Sequence, residues 1–118
     1  MAEKNRRDTV ITDKILMHIE DMFEFIADMD ETTFLSDRKT QKAVTMSMIV
    51  IGELSKAYSS DFINTKFNVP WKKVQAFRNV AAHNYEAIKM EVVWDTVKIS
   101  IPELKAELLS EVTPCQKQ

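Results

Sequence analysis

The sequence predicts an all-α protein, an up-and-down bundle of four to five helices. Three observations carry this. Apolar residues recur at steps of three and four in four separate stretches, the period of a buried helix face. The 118-residue chain has one Gly, so β-hairpins, phosphate-cradling loops and dinucleotide-binding turns lack the residue they depend on. Pro70 and Pro102 fall where a helix should begin and where one should bend. Four amphipathic helices with short connections close readily into a bundle.

The first helix is read from Ile11, Ile15, Ile19, Met22, Ile26 and Met29, which form one stripe; Phe23 and Phe25 widen it, and Asp8 or Thr9 is expected to cap it. Residues 30–36 then make a polar break around Phe34 and Leu35. The second helix is expected from about Asp37 to Ser59. It carries two adjacent stripes (Ala43, Val50, Leu54, Ala57 and Val44, Met48, Ile51, Tyr58), as a central helix or a subunit contact would. Gly52 inside it costs about 1 kcal/mol relative to Ala and would allow another helix to approach closely. Pro70 opens the third helix, with Trp71, Val74, Phe77 and Ala81 on its apolar side and an end near residues 83–86. The fourth stripe is Trp94, Val97, Ile101, Leu104 and Leu108. Pro102 interrupts it, so a helix to about Ser100 should be followed by a kink or a short fifth helix.

A composition of 45% hydrophobic and 29% charged residues is that of a folded globular chain. The length suits one domain, taken as residues 8–111 between polar tails 1–7 and 112–118, burying about two-thirds of its unfolded surface. One Cys, Cys115 in the polar tail, excludes an internal disulfide framework and a multi-thiolate metal site, and is given no role. No apolar run approaches the roughly 18 residues that span a bilayer, and the N-terminus is polar, so the expectation is a cytoplasmic protein with no membrane partner.

The net charge of −2 is an average over opposed segments. Residues 1–37 hold four basic and ten acidic side chains, residues 38–85 hold eight basic against Glu53 and Asp61, and residues 86–118 hold four against six. Residues 62–85 contain Lys66, Lys72, Lys73 and Arg78 and no acid. Such a block is either a solvated face neutralised by its spatial neighbours or a patch for an anion such as RNA, whose backbone Lys72 and Lys73 would contact. Few aromatics are expected at the surface to stack bases.

The chemistry concentrates in one octapeptide, Arg78-Asn79-Val80-Ala81-Ala82-His83-Asn84-Tyr85. His18, on the acidic first helix, reads as a boundary residue without a role. Arg78 offers a planar, permanently charged fork for phosphate oxygens. His83 can move protons near neutral pH. Asn79 lies one turn before His83 on the same face, whereas five residues from Arg78 to His83 is about 140° of rotation. The two therefore meet one phosphate only if the helix end unwinds or a second subunit contributes. RNA cleavage without metal needs a base for the ribose 2′-hydroxyl, an acid for the leaving oxygen and positive charge on the pentacovalent phosphate, and these residue types supply all three. The other reading of an Arg-x4-His at a helix end is purely structural. The other reading of Tyr85 is a packed helix-end aromatic.

This octapeptide resembles the Arg-x4-His-x-Tyr motif of the HepT-like toxins, a branch of the HEPN superfamily. Ile51-Gly52-Glu53 resembles the Ile-Gly-Glu signature of that family, Val69-Pro70-Trp71-Lys72-Lys73-Val74 its Pro-Trp-basic stretch, and Val93-Trp94 with Ile101-Pro102-Glu103-Leu104 its last helices. The order is the same, over about residues 8–108. The resemblance implies a HEPN-type bundle that forms a homodimer with the motifs facing each other. It implies a metal-independent endoribonuclease, the toxin of a type II/VII-like toxin–antitoxin pair, acting on RNA and not DNA, with no cofactor. Arg78 and His83 match the catalytic pair, Asn79 the polar residue after the arginine, and Tyr85 the tyrosine to which a minimal nucleotidyltransferase antitoxin transfers AMP. Glu53 is expected to be buried, pairing with Arg78 or with a helix neighbour. Asn84 stands where many relatives have Gly or an acid. The alternative is a non-catalytic helical module that binds nucleotide or the nucleotidyltransferase partner, and a third reading is a dimerisation unit whose motif only caps a helix.

Overall fold

The computed structural model describes residues 2–110, with side chains from Arg6 onward, and is helical throughout, without strands among those residues. Cys115 and the tail 112–118 lie outside the described residues. Helix α1 runs Ala2–Phe25, α2 Glu31–Leu35, α3 Arg38–Ser55, α4 Ser60–Thr65 and α5 Trp71–His83. A 3₁₀ turn at Tyr85–Ala87 follows. Helix α6 (Met90–Asp95), a π-helical stretch (Thr96–Ser100) and α7 (Ile101–Leu109) then form one continuous rod, since the backbone stays in the helical region through both junctions.

Each boundary has a local cause. Asp30 and Asp37 cap α2 and α3 by accepting the backbone N–H of Thr33 and Thr40, at 2.8 and 3.1 Å. These bonds, helped by the threonine hydroxyls, hold both carboxyls below the usual range. The expected polar break thus contains a short helix of its own, with Phe34 fully buried and its ring tilted at 39° against Trp94, 5.3 Å between centroids. The second predicted helix stops at Ser55, short of Ser59, because the Ser59 side chain accepts from Phe62 N and opens α4. Pro70 is the capping residue of α5, one position ahead of expectation. At Pro102 the missing N–H would have bonded the Lys98 carbonyl, and the widened π turn lies over that gap in place of a break.

Asp8 does not cap α1, which starts at Ala2. Its buried carboxylate reaches across to accept the Ser59 N–H (2.9 Å) and hydroxyl (2.6 Å), tying α1 to the start of α4. One turn on, Thr12 bonds the Tyr58 hydroxyl at 2.7 Å. Burial, with the Asp8 and Asp13 charges adding to it, pushes that hydroxyl up to about 12 against the Thr12 bond, so it keeps its proton. Tyr58 stacks on Phe62 at 4.0 Å and meets Trp71 edge-on at 5.4 Å. This corner fixes where α5 begins.

Helix α3 is the centre of the bundle, packed between α1 and α5. The main cluster joins Ile15, Ile19 and Met22 of α1 with Val44, Met48 and Ile51 of α3 and Val93, Val97 and Ile101 of the rod. Helix α5 packs chiefly on α3. Between α5 and the rod runs an apolar groove of about 240 Å³, lined by Met48, Ile51, Val74, Phe77, Ile101 and Leu104 among others.

Candidate active site

The octapeptide occupies the last turns of α5 and the step into the 3₁₀ turn. Why α5 carries it at this height is a matter of Gly52. The chain's one glycine has no positive φ, so its use is its size. A Cβ on Gly52 would lie 2.5 Å from Arg78 Cβ, 3.2 Å from Arg78 Cγ and 3.1 Å from the Val74 carbonyl. The close approach suggested by the sequence is real, and its contact point is Arg78. Alongside it the Ser55 hydroxyl donates to the Gly52 carbonyl (2.8 Å) and the Gln75 amide donates to Ser55 Oγ (3.3 Å).

Seated there, the Arg78 side chain is half-buried and its guanidinium is held on two sides. Nε lies 2.9 Å from Glu53 Oε1. The charges are in contact, but this N–H is out of line for a hydrogen bond, and the Nε atom is otherwise buried without a partner. Nη1 donates to Asn79 Oδ1 at 3.0 Å. Glu53 also reaches Lys56 at 3.8 Å, so both predicted pairings exist. The expectation that Glu53 is buried is corrected: its side chain is 56% exposed, because α3 turns that position outward beside α5.

Asn79 and His83 stand one helical turn apart on the exposed side of α5, in a stripe that begins with Lys72 and Ala76. The angular separation of Arg78 from His83 is therefore bridged in part by Asn79, which shares His83's face and accepts from Arg78. With its Oδ1 engaged, the Asn79 amide presents its NH₂ as a donor beside His83. His83 is exposed at the end of α5, and Tyr85 is half-buried in the following turn; neither side chain has a polar partner among the described contacts. Asn84 ends α5 with φ of −152°, a backbone conformation open to any residue.

Lys72 and Lys73 are exposed in the first turn of α5, roughly 16 Å along the axis from His83. Lys66 leaves the predicted basic patch altogether. It is 4% exposed, and its ammonium donates to the Glu107 carbonyl (2.7 Å), the Ser110 carbonyl (2.9 Å) and Ser110 Oγ (3.0 Å), closing the C-terminus of α7. Sequence reasoning counted its charge and missed its length, which lets the stem cross buried surface to those carbonyls. Among the described residues no three His, Cys, Asp or Glu side chains gather as metal ligands, and no helix is long and apolar enough to cross a membrane.

The profile of the family described as "Ribonuclease HepT-like" matches residues 15–110, a span that includes every residue of this site. Among its relatives, a protein of Methanocaldococcus jannaschii named as a candidate RNase is 43% identical, with 75% of this chain and 73% of that protein aligned. A second such protein of the same organism is 34% identical over 80% of this chain and 86% of its own. A protein of Thermococcus cleftensis named "Probable ribonuclease HepT" is 36% identical over 76% of this chain and 88% of its own. No solved structure gives a significant match.

Proposed function

This chain belongs to the ribonuclease HepT-like family, and on that premise we propose that it is a metal-independent endoribonuclease, the toxin of a toxin–antitoxin pair. The observation that carries the proposal is the Gly52-seated Arg78, whose guanidinium is linked through Asn79 to the face bearing His83.

In the proposed reaction the His83 imidazole takes the proton of a ribose 2′-hydroxyl. The freed oxygen attacks the adjacent phosphorus, and the bond to the 5′-oxygen breaks as that oxygen receives a proton from an imidazolium. The products are a 2′,3′-cyclic phosphate and a 5′-hydroxyl. Negative charge gathering on the non-bridging oxygens meets the Arg78 hydrogens not engaged by Glu53 and Asn79, together with the Asn79 NH₂. Glu53 is a positioning residue here, holding the guanidinium without touching RNA. A homodimer completes the site by bringing a second His83, so that base and acid can be different imidazoles. The open apolar groove between α5 and the rod, with Val80, Val92 and Ile99 half-exposed nearby in sequence, supports a second copy as its cover.

Regulation follows the same chemistry. A nucleotidyltransferase partner would transfer AMP from ATP to the Tyr85 oxygen, releasing pyrophosphate and the phenol proton. Tyr85 is two residues from His83, so the added phosphate would occupy and repel the position of the RNA phosphate.

The test is cleavage of RNA in EDTA with end-group analysis. Wild type should leave cyclic or 3′-phosphate ends, and His83→Ala should lose on the order of 10²–10⁴ in rate with unchanged helical circular dichroism. Cutting by His83→Ala at the wild-type rate removes the catalytic assignment. Partner binding and AMP incorporation without any cutting by wild type would favour the non-catalytic module instead.

A further inference from the structure

Phe67 is the most exposed of the large apolar side chains described, at 76%. It lies in the turn joining α4 to α5, and that turn is held on both sides. Before it, Lys66 is buried and anchored to the end of α7. After it, Val69 is buried and its N–H bonds the Lys66 carbonyl at 3.1 Å, which also accepts the Trp71 indole N–H at 3.0 Å. With Lys66 and Val69 pinned inward on either side of it, the turn displays the Phe67 ring to solvent.

The surroundings say what such a ring can receive. Thr65 and Asn68 beside it in the chain are exposed and polar, and no other large apolar side chain between Met46 and Val80 is comparably exposed, although Leu109 is exposed at the end of α7 that Lys66 anchors. A protein–protein face would call for a contiguous apolar patch. Along the chain beyond Phe67, Lys72 and Lys73 are exposed and residues 62–85 hold no acid, while Glu103 and Glu107 of α7 come in from the other side and line one pocket with Asn68. Lys72 heads the exposed stripe of α5 that ends in Asn79 and His83.

The geometry points to Phe67 as a base-stacking platform for single-stranded RNA, at the opposite end of α5 from His83, with Lys72 and Lys73 holding phosphates between them. The inference rests on the ribonuclease reading above and adds where the strand lies. Stacking needs only a π face, so the platform is indifferent to sequence. Duplex RNA, whose bases are already stacked, cannot use it. The expectation of few surface aromatics holds, and Phe67 is the most exposed of those few.

The experiment uses the His83→Ala protein, so that RNA is bound without being cut, and a labelled single strand of about ten nucleotides. Phe67→Ala in that background should raise Kd roughly five- to a hundredfold, and Phe67→Trp should keep it near the parent value. Binding of a duplex of the same sequence should not change. An unchanged Kd for Phe67→Ala overturns the platform, as does an equal loss on duplex. A drop in molecular mass by light scattering for Phe67→Ala also overturns it, because the ring then belongs to a protein contact, with Leu109 its exposed candidate neighbour at the end of α7. If wild type cuts RNA while Phe67→Ala binds as tightly as its parent, the platform alone fails. If no form binds RNA and wild type cuts none, the ribonuclease reading fails with it.

Discussion

Where α5 begins, Trp71 is buried with its indole N–H bonded, Lys66 is buried under three oxygen acceptors, and Asp8 and Thr12 of α1 reach over to bond Ser59 and Tyr58. Where α5 ends, His83 and Asn84 are exposed and Tyr85 half-buried, with no polar side-chain partners among the described contacts. The same helix is satisfied at one end and left wanting at the other. Buried polar groups stabilise a fold only when paired, whereas groups that must meet a ligand are useful unpaired. The thirteen residues of α5 separate these two demands by its length. Substitutions at the two ends should therefore fail in different assays.

The widest separation is expected at the ends themselves. His83→Ala should abolish cleavage at nearly constant melting temperature. Trp71→Ala should do the reverse, costing about 3–5 kcal/mol of stability while the fraction that stays folded cuts at close to the wild-type rate; chemical denaturation and initial rates would check both. A Trp71→Ala protein of full stability, or one folded but inactive, breaks the contrast.

Lys66→Met tests the satisfied end more finely. It keeps the stem's volume but leaves the Glu107 and Ser110 carbonyls without their donor, and should cost about 1.5–3 kcal/mol, read as a shift in denaturation midpoint. RNA affinity should change less than in Lys72→Ala, since the Lys66 charge is turned inward. Gly52→Ala sits between the two ends and should register in both assays. Overpacking against Arg78 costs about 1–3 kcal/mol, offset by up to about 1 kcal/mol of better helix propensity. Cleavage should fall at least tenfold, because the displaced group is the guanidinium. The smallest effect is expected from Asp37→Asn. The folded Asp37 carboxyl sits below its ordinary value, so its stabilisation is present above the usual carboxylate range and fades as pH falls through the folded value. The variant should be slightly less stable at pH 7, and the difference should close below about pH 4.

How far the sequence reaches differs between these regions too. The long helices were legible because their stripes are regular: Ile15, Ile19 and Met22 are fully buried where the spacing puts them. The octapeptide stood out because its chemistry is contiguous in the chain, and the fold divides it between the last turns of α5 and the 3₁₀ turn. Asp8 was misread because a carboxylate near a helix start is an obvious cap, and only the folded chain brings Ser59, 51 positions away, within reach. Lys66 was misread and Phe67 was passed over. Lysine is normally exposed and phenylalanine normally buried, and here the anchoring of one enforces the display of the other. The π stretch was expected only as a kink, since a proline announces a lost hydrogen bond but not how the helix absorbs it.

Gly52 contributes no side chain to the site, yet Arg78 can stand where it does only because position 52 is empty beyond its backbone. Because the contact is with the β-carbon of Arg78, shortening residue 78 would not make room for a side chain at 52; only Gly there would, and that exchange discards the guanidinium. The space left by a missing methyl group is then as much a part of the site as the charge that fills it.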